Sequence, residues 1–67
     1  MSETHADTPP DVDQALGRAP AAAARFARLP ASHRREYLNW IAEAKRPATR
    51  ARRIGEMVER LAREAGQ

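Results

Sequence analysis

Five basic residues, Lys45, Arg46, Arg50, Arg52 and Arg53, fall within nine positions that contain no acid. Guanidinium groups at this density bind phosphates and carboxylates. The stretch is therefore a candidate contact for nucleic acid, phosphate, an anionic lipid surface or an acidic protein. It can equally be internal to the fold, with Arg50 paired to Glu36 or Glu43 of a neighbouring helix. The aromatics Tyr37 and Trp40 lie just upstream. Beside arginines such rings can stack on bases, but on an apolar helical stripe they belong to a core.

Catalysis has little to draw on. The two histidines are His5, close to the N-terminus, and His33, next to Ser32; adjacent side chains diverge and cannot by themselves form a nucleophile and its base. The chain has no cysteine, no His grouping at metal-ligand spacing and no glycine-rich phosphate loop. A non-enzymatic protein without a cofactor or metal is expected.

Prolines divide the chain into the elements that must position these groups. They stand at 9, 10, 20, 30 and 47, where a helix would begin or the one before it would stop. No stretch alternates β-branched or aromatic residues with polar ones, so strands are not expected. The reading is an all-α, small single-domain bundle of about four short helices, at about 9–16, 20–28, 33–45 and 47–65, after a disordered tail over 1–7. Thr8 and Ser32 are the expected N-caps of the first and third helices, and Arg46 lies at the N-cap of the fourth. Cations there oppose the helix dipole. Further along the fourth helix, Arg52 with Glu56, Glu56 with Arg60 and Glu59 with Arg63 are spaced to pair at i, i+4.

At 100° per residue Trp40, Ala44, Tyr37, Ile41 and Leu38 share one arc of the third helix. This stripe is the expected centre of the core, and Trp40→Ala is expected to cost about 3–5 kcal/mol. Ile54, Met57, Val58, Leu61 and Ala65 form the buried stripe of the fourth helix, with Val12, Leu16, Phe26 and Leu29 closing over both.

The supply for that core is short. Of 67 residues 42% are apolar, but 15 of those are alanine, which leaves 13 large apolar side chains. A multi-domain protein, a disulfide scaffold and a large internal cavity are excluded at this size. Net charge is +3; residues 1–32 sum to −1 and residues 33–67 to +4. The acidic start, without a cationic segment followed by an apolar one, predicts a cytoplasmic protein. No apolar run is long enough to span a membrane, and the protein is expected to be a monomer.

Two blocks of this sequence strongly resemble the bacteriocin-protection family, also described as YdeI or OmpD-associated. The first is Leu-x-x-Ser-His-x-x-x-Tyr-x-x-Trp-Ile-x-x-Ala-Lys, from Leu29 to Lys45, and the second is Pro-x-Thr-Arg-x-x-Arg-Ile, from Pro47 to Ile54. The matching positions include Ser32, His33, Tyr37, Trp40, Ile41, Lys45, Pro47, Thr49, Arg50 and Arg53. With the upstream Pro10-Asp-Val-x-x-Ala-Leu and Ala19-Pro-Ala-Ala pieces, the resemblance covers about residues 9–63. It departs at Ala48, where the family often has Glu, and the larger α/β domain that often precedes this module in the family is not expected here.

The resemblance implies a stand-alone C-terminal helical module with a role in protection against bacteriocins or antimicrobial peptides. It also implies association with an envelope protein and, for the family, a periplasmic setting. A +3 chain repels a cationic peptide, so protection is expected to run indirectly, through an anionic surface or a protein partner. The alternative is a small basic nucleic-acid-binding protein acting through Lys45, Arg46, Arg50, Arg52 and Arg53.

Overall fold

Three of the helices open on a proline, whose fixed φ is pre-set for the first turn and whose missing N–H is not needed there. The computed structural model describes residues 8–66. Over that range four helices form: α1 (Pro10–Gly17), α2 (Pro20–Arg28), α3 (Ala31–Ala42) and α4 (Pro47–Ala65). The described residues contain no strand. The expected tail, 1–7, lies outside the described residues.

The bounds of α2 and α4 agree with the sequence reading, and α1 is displaced by one residue. The third helix differs more. Pro30 is itself the N-cap, at φ −57° and ψ 151°, and its carbonyl accepts the amides of His33 and Arg34 at 3.0 and 3.1 Å. Ser32 is thus inside the first turn and cannot cap it. Pro9 likewise takes the place expected for Thr8. At the other end the turn tightens, because Ala44 N–H turns back to the Ile41 carbonyl at 3.1 Å. Arg46, preceding a proline, is extended at φ −99° and ψ 142°. Helix α3 therefore stops at Ala42, not Lys45.

The core consists of Val12 and Leu16 from α1, Ala22 and Phe26 from α2, Leu29, Ile41 from α3, and Ile54, Met57 and Leu61 from α4. Helix α2 packs most extensively on α4, α1 lies against both, and α3 rests on α4. Small side chains let α2 and α4 approach closely, and Phe26 fills the space with no exposed surface.

The core is consequently centred on α2 and α4 rather than on the third helix. Of the expected α3 stripe only Ile41 is fully buried, while Tyr37, Leu38, Trp40 and Ala44 are half-buried. The cause is geometric. An arc this wide needs neighbours on both flanks, and α3 has its main contact on one. Ile41 takes the covered meridian, with Tyr37 and Trp40 at one edge of it and Leu38 at the other. Val58 is also half-buried and Ala65 is exposed. With Trp40 at the edge, the expected cost of truncating it falls below that of a core aromatic.

Among the described residues no helix is long and apolar enough to cross a membrane, and no His, Asp or Glu grouping could hold a metal ion.

Candidate functional site

The arginines of the basic stretch divide into two groups. Arg50 lies in the first turn of α4, and its guanidinium holds Asp11 in the first turn of α1, Nε to Oδ2 at 2.7 Å and Nη2 to Oδ1 at 3.1 Å. This carboxylate comes from α1, not from Glu36 or Glu43 of the third helix as the sequence reading expected. Asp11 Oδ1 also accepts the Val12 amide at 2.9 Å. The hydrogen bond from Arg50 is the main cause that lowers the Asp11 pKa below its ordinary value, against a desolvation that raises it. The same bond raises the pKa of Arg50. An acid at the start of α1 thus offsets cations at the start of α4, where the dipole disfavours them.

Arg53 closes a different gap. Because the Ala44 amide goes to Ile41, the Trp40 carbonyl loses the donor four residues on that a continuing helix would supply. Arg53 provides one from α4, Nη1 to the Trp40 oxygen at 2.7 Å. The same guanidinium stands over the Trp40 ring, 5.3 Å from its centroid. One side chain caps α3 and covers one face of its tryptophan. Arg34, which the sequence reading did not single out, does the same for α2: its guanidinium donates to the Leu29 carbonyl and, at 3.5 Å, to that of Ala27.

Lys45, Arg46 and Arg52 make up the remainder. All three are exposed, and Arg52 approaches Glu56 at 3.9 Å. Arg60 pairs with Glu64 at 3.6 Å in place of the expected Glu56, and among the described residues Glu59 and Arg63 form no ion pair. The five cations therefore do not converge on one anion site. Two of them tie helices together.

A concavity does form where α2, α3 and α4 meet, an open groove of about 480 Å³. From α3 it takes His33, Glu36, Tyr37 and Trp40, which recur at helical spacing along one edge. Leu29 contributes to its apolar lining, and Arg25, Arg60 and Glu64 come from α2 and α4. Arg25 Nε reaches Glu64 Oε1 at 3.4 Å and Arg60 Nε reaches Oε2 at 3.6 Å, so two guanidiniums share one carboxylate. His33, Tyr37 and Trp40 were legible as residues of the first block. Arg25 beside Glu64 was not, because nothing local marks residues 39 positions apart on two helices as neighbours.

A family model described as bacteriocin-protection, YdeI or OmpD-associated matches residues 5–64. The chain belongs to this family. No curated protein matches it, and no solved structure does. In this chain the second block of the resemblance, Pro47 to Ile54, does structural work on the first. Pro47 opens α4, Arg50 fixes α1, Arg53 caps α3 and covers Trp40, and Ile54 is buried. Leu29 and Ile41 are the buried residues of the first block, and His33, Tyr37 and Trp40 face the groove. Ser32 and Lys45 are exposed and Thr49 is half-buried.

Proposed function

We propose that this chain is a non-enzymatic interaction module that serves the family's protective role by binding a protein partner in the groove between α2, α3 and α4. The observation that carries the reading is the placement of Tyr37 and Trp40. A chain with so few large apolar residues leaves its one tryptophan and one tyrosine half-buried at a concave edge. Burying such rings is the main source of energy at protein interfaces. Intramolecular use of Arg50 and Arg53 weighs against the nucleic-acid alternative, since of the basic stretch only Lys45, Arg46 and Arg52 are exposed, and Arg52 lies beside Glu56.

Affinity capture from the source cell, with and without nuclease, tests the reading with two variants. Tyr37→Ala removes a groove wall, and a Lys45→Ala, Arg46→Ala, Arg52→Ala triple variant removes the exposed cations. Nuclease-resistant capture of a protein that Tyr37→Ala loses and the triple variant keeps is the expected result. Capture that nuclease abolishes and the triple variant loses would overturn it in favour of nucleic acid. Circular dichroism of each variant establishes that its helices are intact.

A further inference from the structure

We infer that the groove takes a segment of a protein partner that presents an apolar side chain next to an aspartate or glutamate. The inference rests on the reading of the groove as the docking site and adds the chemistry of what enters it. The apolar part follows from Tyr37 and Trp40, half-buried side chains that line the groove beside Leu29. Trp40 is already covered on one face by Arg53, so the occupant packs at its edge and against Tyr37.

The acidic part follows from the charges on the α2 and α4 side. Arg25 and Arg60 converge on Glu64, which spends one carboxylate oxygen on each. Their guanidiniums carry five N–H donors apiece. Among the described residues the only hydrogen bond either makes is Arg25 Nε to Glu64, and both side chains are well exposed, at 43% and 69%. Two cations against one carboxylate leave an excess positive charge and a set of planar donors facing the groove, the geometry that a second carboxylate fits.

Glu36 gives the site polarity. It lines the α3 side and disfavours an acid placed there, so the partner's carboxylate belongs beside α2 and α4 and its apolar side chain beside α3. A segment basic throughout would meet Arg25 and Arg60 with like charge on the α2 and α4 side, where Glu64 is already shared between them, and would find an open carboxylate only in Glu36 at the α3 edge. The occupant is therefore distinguished from a cationic peptide by the same groups that hold it.

The test uses Trp40 as the reporter, since it is the one tryptophan of the chain. Three tryptophan-free, terminally blocked peptides with a Leu-Phe centre, flanked on both sides by Glu, Gln or Lys, are titrated into the full chain while emission is followed. The Glu peptide is expected to move emission to shorter wavelength and saturate, and to bind about fivefold or more tighter than the Gln peptide, with the Lys peptide weakest. Arg25→Gln with Arg60→Gln is expected to erase the difference between the Glu and Gln peptides while the far-ultraviolet spectrum is unchanged. Equal binding of all three peptides, or no emission change with any of them, would overturn the inference. Either outcome leaves the docking reading to the capture experiment, which fails separately if Tyr37→Ala retains the captured protein.

Discussion

Replacing Arg53 with alanine is the perturbation whose size the geometry sets best. The variant loses a charge-assisted hydrogen bond of 2.7 Å to the Trp40 carbonyl, which leaves that carbonyl in need of water at a partly buried helix end. A bond of this kind contributes about 1.5 kcal/mol at the lower end of its range, and the lower end applies because Arg53 is itself half-exposed. Losing the guanidinium from the Trp40 face removes about 0.5–1 kcal/mol more. The sum is about 2 kcal/mol. For a domain of this size each kcal/mol moves the thermal midpoint by about 4–8 °C, so Arg53→Ala is expected to melt about 10 °C below the wild type. Thermal unfolding by far-ultraviolet circular dichroism measures it, and Arg53→Lys, which keeps the charge without the planar fork, should recover only part of the loss. A midpoint for Arg53→Ala within about 2 °C of the wild type would refute the capping role.

Three further outcomes follow from the same packing. Phe26→Ala, at a position without exposed surface, should cost about 3–5 kcal/mol and abolish cooperative unfolding, whereas Trp40→Ala should lower the midpoint and still leave a folded domain; unfolding curves of the two variants decide it. Gly55 lies inside α4 with nothing within 4 Å of an added Cβ, so Gly55→Ala should stabilise by about 1 kcal/mol and raise the midpoint. The Asp11 pKa is lowered by Arg50, so the stability this pair contributes is fully present above the ordinary carboxyl value of 3.8 and is lost as pH falls through the lower native value. In Asp11→Asn that part of the acid limb should flatten, which acid titrations of stability for both proteins would show.

Punctuation was the most legible part of the fold. Pro20 and Pro47 each open a helix where they stand, since both effects of proline are local. The third helix was read less well because the signals around it compete: Pro30 displaced Ser32 from the cap, and the turn at Ala44 closed the helix before Lys45. Periodicity identified which face of α3 is apolar but carries no information about how many neighbours that face will have. That is why Tyr37 and Trp40 were placed in the core and stand instead at its edge. Density of charge misled in a similar way. Arg53 looks like a free cation in sequence and Arg50 looks like a partner for Glu36 or Glu43, because Asp11 and the Trp40 carbonyl, their actual partners, are brought to them only by the packing of α1 and α3 on α4. The groove itself joins residues of three helices, and only its α3 edge has a local pattern.

The central claim is that Trp40 stands at the rim of an open groove edged by guanidiniums rather than in the core. Its fluorescence in the purified chain, quenched in parallel by neutral acrylamide, iodide and caesium at equal ionic strength, tests this most directly. The arrangement of Arg25, Arg53 and Arg60 predicts access to acrylamide and stronger quenching by iodide than by caesium. A tryptophan shielded from all three quenchers, or one quenched better by caesium, would contradict it.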